Sequence, residues 1–70
     1  DKLVVVDVGA SWCGPCKQIA PLVEDLAHQH QQKAVFLAVD GDASRDVVSH
    51  FGVEGFPTFV FLRNGVEVDR

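Results

Sequence analysis

The sequence has no apolar run approaching the roughly 20 residues that a membrane-spanning helix requires, so none of it is expected to cross a bilayer. It is poor in basic residues, with six Lys and Arg against ten Asp and Glu and a net charge of −4. Those six are scattered. Without a basic stripe there is nothing to hold a phosphate backbone, which argues against a nucleic-acid partner. Only two cysteines are present, whereas a secreted disulfide scaffold of this size carries four or more, widely spaced. No repeat, low-complexity segment or linker divides the chain, and no basic start followed by an apolar stretch marks a signal peptide. What remains is 70 residues, 47% hydrophobic and 23% charged. These are globular proportions rather than those of a disordered or collagen-like chain, and they describe one domain over residues 1–70. A chain this short buries only about 60% of its unfolded surface, so its stability is marginal.

The apolar pattern sets an order of elements. Leu3 to Val8 is almost all valine, a continuous β-branched run that reads as a strand buried on both faces. Gly9 to Pro15 is a loop of small residues. A helix is expected from about Cys13 or Cys16 to about Gln31, because Ile19, Leu22, Val23 and Leu26 share one face while Lys17, Gln18, Glu24 and Asp25 share the other. Pro21 lies inside that pattern and should kink the helix or remove one hydrogen bond. Ala34 to Val39 reads as a second buried strand. Strand, helix and strand at this spacing form a parallel unit with a right-handed crossover. Asp40 to Asp42 is a turn, and a short helix follows from Ser44 to Phe51, stopped by Gly52. Thr58 to Leu62 is a third strand. Asn64-Gly65 is a hairpin signal, since both turn positions favour positive φ. Val66 to Asp69 then returns as an antiparallel edge strand.

The chemistry is concentrated in Trp12-Cys13-Gly14-Pro15-Cys16, which follows a strand and opens a helix. Free amides at a helix N-terminus favour negative charge, so a thiolate at Cys13 is stabilised there. Two intervening residues let the sulfurs meet across the first turn. Cys13 would attack a substrate disulfide and Cys16 would resolve the mixed disulfide. On this reading Cys13 must be reachable, while Cys16 can be buried. Two other uses of the pair stand beside it. A structural disulfide would close only a short loop, contributing about 2 kcal/mol in the chain-entropy model. A zinc site would need two further ligands, yet His28 and His30 are one residue apart where zinc fingers use three to five. His28, His30 and His50 read as solvent-facing residues at helix ends.

The segment from Val4 through Asp7, Trp12-Cys13-Gly14-Pro15-Cys16 and Lys17 to Ala20-Pro21 closely resembles the thioredoxin family. So does Gly52-Val53 through Phe56-Pro57-Thr58, with Asn64-Gly65 after it. The resemblance implies a thioredoxin-like α/β fold, a mixed four-stranded sheet in the order β-α-β-α-β-β. The family's N-terminal strand and helix and its C-terminal helix have no counterpart here, so the intact protein is expected to be longer. By position, Cys13 matches the nucleophile and Cys16 the resolving thiol. Asp7 matches the buried carboxylate beneath the dithiol. The valines around Asp7 agree, because a desolvated carboxyl with a raised pKa could accept the proton of Cys16. Pro57 matches the family's cis-proline, which leaves the backbone of Phe56 free to pair with a substrate as an added strand. Trp12, Gly55, Phe56 and Pro57 would form an apolar lip around Cys13, with Gly14 and Pro15 also contacting substrate.

Two positions depart from the family pattern. Gly9 stands where thioredoxins usually carry an aromatic residue, which loosens packing behind the site. Ala38 stands where some bacterial members place a lysine, so the pKa of Asp7 should rise further. With one neighbouring strand missing, Ala34 to Val39 would be an exposed edge. The function implied is protein disulfide reduction, as a redox-active carrier in electron transport and cell redox homeostasis. Its partners would be disulfide-containing substrate proteins and a thioredoxin reductase drawing on NADPH. No bound cofactor or metal is expected, the intact domain should be monomeric, and the expected compartment is the cytoplasm, with an organelle as the alternative. The alternative is a thioredoxin-like docking module within a multidomain protein, such as a monothiol glutaredoxin.

Overall fold

A computed structural model describes residues 2–70. The elements are β1 (Leu3–Gly9), α1 (Gly14–Gln29), β2 (Ala34–Asp40), α2 (Arg45–Phe51), β3 (Thr58–Arg63) and β4 (Val66–Asp69). They build one sheet in the order β2-β1-β3-β4. β1 runs parallel to β2 and antiparallel to β3, and β4 runs antiparallel to β3 with a bulge between Phe61 and Leu62. This is the mixed sheet the apolar pattern predicts. The hairpin forms at Asn64 and Gly65, with φ of 54° and 78°. Gly52 ends α2 in the left-handed conformation.

Alternation along β1 decides which side each residue serves. Val4, Val6 and Val8 face α2, and Val6 lies opposite Val60 of β3. Val6, Val8 and Val60 form the buried centre, with Val47, Val48 and Phe51 of α2 packed against it. Val5, Asp7 and Gly9 face the other way, toward α1. There Val5, Phe36, Phe59 and Phe61 of the sheet face Ile19, Leu22, Val23 and Leu26 of α1 around an apolar cavity of ≈290 Å³.

Several sequence expectations need correction. β2 is not buried on both faces. It is the exposed edge that the absence of a neighbouring strand implied, and its Val35 and Leu37 are 38% and 48% exposed. The amphipathic face of α1 is only loosely covered. No residue of α1 is buried, and Leu22 keeps 59% of its surface exposed. The helix also stops at Gln29 rather than near Gln31. The amides of Lys33 and Ala34 both bond back to the His30 carbonyl, at 2.9 and 2.8 Å, which turns the chain directly into β2. Pro21 sits within α1 as expected, and the helix continues through it without the amide that proline lacks. Finally, β1 and β2 each run one residue further than expected, so Asp40 closes β2 rather than opening the turn.

Candidate active site

The site forms where β1 hands over to α1. Cys13 is the N-cap of that helix, held extended at φ −81° and ψ 109°. Its amide donates to the Ala10 carbonyl at 3.1 Å, and its carbonyl accepts from Lys17 at 3.2 Å. Its sulfur accepts a hydrogen bond from the Cys16 amide at 3.2 Å. Sulfur thus stands where a serine or aspartate oxygen usually caps a helix. Gly14 and Pro15 form the first turn and are exposed. Proline suits that position because the amide it lacks would have no helical partner. No acidic residue lies in that first turn, so nothing there offsets the positive end of the helix dipole.

Cys13 and Cys16 are joined in a disulfide with their Cα atoms 5.3 Å apart. Their accessibilities reverse the sequence expectation. Cys13 is only 3% exposed, whereas Cys16 is partly exposed. The Cys13 sulfur is bonded to Cys16 and aimed at the amide end of the helix, while Cys16 faces a cavity behind the pair. That cavity, of ≈410 Å³, is lined by Asp7, Gly9, Ser11, Cys16, Ala38 and Asp40, among others. Asp7 and Cys16 are therefore brought together at one wall of the fold. Asp7 is half-buried, and desolvation pushes its carboxyl above the usual aspartate range.

Gly9 is closely fitted to this arrangement. A Cβ at that position would lie 3.2 Å from the Cys16 sulfur. An aromatic side chain there would therefore meet the disulfide and the space behind it, which is the space the cavity occupies.

Trp12, just before the disulfide, is 66% exposed and so is not a core residue. Its indole donates a 2.6 Å hydrogen bond to Asp42. Its ring lies 5.6 Å from that of Phe56, tilted by 57°. Phe56 in turn fills the space over Gly41, where a Cβ would come within 2.4 Å of the ring. Gly55, Phe56 and Pro57 line a second cavity of ≈670 Å³. The Phe56–Pro57 peptide bond is cis, and the Thr58 hydroxyl donates to the Gly55 carbonyl at 2.6 Å. All three histidines are exposed and stand at helix ends.

Asp42 and Gly41 were read from sequence only as turn residues. The signal that could have found them was parallel pairing. Gly9 pairs with Asp40, and the Gly41 amide donates to the Gly9 carbonyl at 2.7 Å, so the loop after β2 lies beside the loop after β1.

The family model described as Thioredoxin matches residues 1–70. The chain is 49% identical over 70 residues to thioredoxin H4 of Arabidopsis thaliana, covering 59% of that protein. It is 52% identical over 69 residues to thioredoxin H-type 1 of Nicotiana tabacum, covering 54% of it. Among solved structures it superposes on the germline-specific thioredoxin Deadhead of Drosophila melanogaster with a TM-score of 0.97, at 42% identity. That match covers 99% of this chain and 66% of the Deadhead chain. The chain therefore spans a little over half the length of these two plant relatives.

Proposed function

The chain belongs to the thioredoxin family, and we propose that it reduces disulfides of other proteins by dithiol–disulfide exchange. The observation that carries this reading is the Cys13 sulfur at the N-cap of α1, accepting the Cys16 amide with no acidic residue in the turn. A thiolate at that atom is stabilised by both the amide and the dipole. In the reduced protein the Cys13 sulfur is freed from Cys16. Its thiolate attacks one sulfur of a substrate disulfide and expels the other as a thiolate. Asp7, whose carboxyl is pushed above the usual aspartate range by desolvation, accepts the proton of Cys16. The Cys16 thiolate then attacks the Cys13 sulfur, closes the disulfide and releases the reduced substrate.

Trp12, Gly55, Phe56 and Pro57 act as an apolar rim for the substrate. Gly14 and Pro15 lie exposed beside it, and the Phe56 backbone offers strand-like pairing. Electrons come from NADPH through a thioredoxin reductase, and the chain needs no resident cofactor.

The test is to trap the intermediate. Cys16→Ser, reduced and mixed with insulin, should accumulate a mixed disulfide on Cys13, and Cys13→Ser should not. Equal trapping by both variants would overturn the assignment. A midpoint potential near about −270 mV, the value general for thioredoxins, would agree with a reductase, whereas about −180 mV or higher would mark an isomerase or oxidant.

A further inference from the structure

We propose that Gly41 is a positioning residue for substrate binding, a socket that holds the ring of Phe56 and, through it, the rim beside the disulfide. This rests on the reading that the Phe56 backbone receives a substrate, and it names what sets that backbone in place. Gly41 is buried, and its φ lies outside the left-handed region, where only Gly52 and Gly65 fall among the glycines. Its backbone would therefore suit any residue, and what calls for glycine is space. A Cβ at this position would lie 2.6 Å from Cε1 of Phe56, closer still to Cζ, and 3.2 Å from a Val48 methyl. The tip of the Phe56 ring thus occupies the volume that a side chain at position 41 would take.

The socket has fixed walls. The Gly41 amide donates to the Gly9 carbonyl at 2.7 Å, and the Ala43 and Ser44 amides both bond back to the Asp40 carbonyl, at 3.2 and 2.9 Å. The Asp42 amide donates to the Asp40 carboxylate at 2.9 Å. Val48 packs against the buried centre of Val6, Val8 and Val60. Of the groups around Gly41, the Phe56 ring is the one left to move. Beside it stands Trp12, whose ring lies 5.6 Å away and is held by Asp42, the residue after Gly41. Two successive residues of one turn therefore hold the two aromatic rings of the rim.

A methyl added at position 41 would be felt along this line of contacts. To lengthen a 2.6 Å approach to the 3.4 Å of ordinary packing, the ring must retreat by roughly 1 Å. The retreat displaces the Phe56 backbone, Trp12 or both, and leaves Cys13, Cys16 and Asp7 where they are. Binding of a protein substrate should suffer, and the exchange step should not. A misplacement of about 1 Å costs up to about 10²-fold where it falls on reacting groups. Here it falls on binding contacts, so the expected loss is smaller, about three- to tenfold in KM.

The test is a double-mutant cycle on the full chain, with Gly41→Ala, Phe56→Leu and both together, in the reduction of insulin by dithiothreitol. Leucine lacks Cε1 and Cζ, the two ring atoms the new methyl would meet. Gly41→Ala should raise KM for insulin about three- to tenfold, with kcat changed less than about twofold. It should also shift the emission and lower the anisotropy of Trp12, the one tryptophan in the chain. In the Phe56→Leu background, Gly41→Ala should move KM less than about twofold, because the methyl then has room. A merely less folded variant would lose apparent kcat at the KM of the parent. Unchanged KM in Gly41→Ala, or the same rise with leucine at position 56, would overturn the socket while leaving the dithiol reading intact. Should Gly41→Ala not fold, Phe56→Leu, which empties the socket without crowding it, should itself lower Trp12 anisotropy, and a parent-like value there would overturn the proposal. A parent chain that reduces no insulin would defeat both readings.

Discussion

The Trp12 indole donates a 2.6 Å hydrogen bond to the Asp42 carboxylate, a residue 30 positions further along the chain. This bond fixes an exposed aromatic ring beside the disulfide. Trp12 has little burial to hold it, so the bond and the tilted contact with Phe56 set its orientation. Removing the carboxylate in Asp42→Ala should cost less than about 1 kcal/mol of stability, because an exposed hydrogen bond competes with water. Its effect should fall on Trp12. Emission should shift and anisotropy drop, and KM for a protein disulfide should rise a few-fold with kcat nearly unchanged. A Trp12 spectrum identical to that of the parent would show that Asp42 does not hold the ring.

Asp7 gives a pH dependence whose sign follows from its surroundings. Desolvation raises its folded-state pKa above the unfolded value. Between those two values the folded chain binds more protons than the unfolded one, so stability falls as pH rises through that window. Asp7→Asn stays neutral throughout. Its urea midpoint should therefore exceed that of the parent at pH 7, and the gain should vanish once the pH falls below the ordinary carboxylate range. The same substitution should slow the attack of Cys16 and flatten its pH dependence. Parent-like exchange kinetics from pH 6 to 9 would remove Asp7 from the proton path.

A side chain at position 9 should distinguish the two redox states of the pair. In Gly9→Ala the new methyl lies 3.2 Å from the Cys16 sulfur. A free thiol can rotate away, whereas a disulfide sulfur is held at both ends. The substitution should thus penalise the oxidised form by about 1 kcal/mol, within the usual range for added core volume. That corresponds to a midpoint potential about 20 mV less negative for a two-electron couple. Titration in dithiothreitol redox buffers measures it, and an unmoved or more negative potential would refute the packing argument.

The centre of the α2 face should be the most sensitive part of the chain. Val8 and Val60 are the largest side chains that are fully buried. Val60→Ala removes two methyl-sized volumes from a small core and should cost about 2 kcal/mol. For a domain with little stability to spare, that should leave a measurable unfolded population at 25 °C. Leu22→Ala, at a position 59% exposed on α1, should cost well under half as much. Comparable losses at both positions, read by denaturant unfolding, would show that the α1 face carries as much of the core.

The valine run, the helical spacing of Ile19 to Leu26, and the Asn64-Gly65 pair contain the order of elements in the sequence itself. Each is a local periodicity or a local φ preference, so the chain states it without reference to distant residues. The cysteine pair is legible for the same reason. Two residues of separation put both sulfurs on the first turn, and the position of the pair between strand and helix supplies the dipole. Asp7 stands out because Val8 continues the strand beyond it, which weighs against an aspartate at a strand end facing water.

Other features depend on which strands are neighbours, and periodicity does not state that. Parallel pairing of β1 with β2 carries the Asp40-Gly41-Asp42 segment to the mouth of the site, where Gly41 seats Phe56 and Asp42 holds Trp12. The edge position of β2 exposes Val35 and Leu37, although their sequence reads as buried. Most consequential is the direction in which each sulfur faces. Spacing brings Cys13 and Cys16 together, but Cys13 is 3% exposed while Cys16 lines an open cavity together with Gly9 and Ala38. Burial is a property of everything packed around an atom. The sequence by itself therefore determined which two sulfurs lie within reach of each other, and only the tertiary structure decided what surrounds each of them.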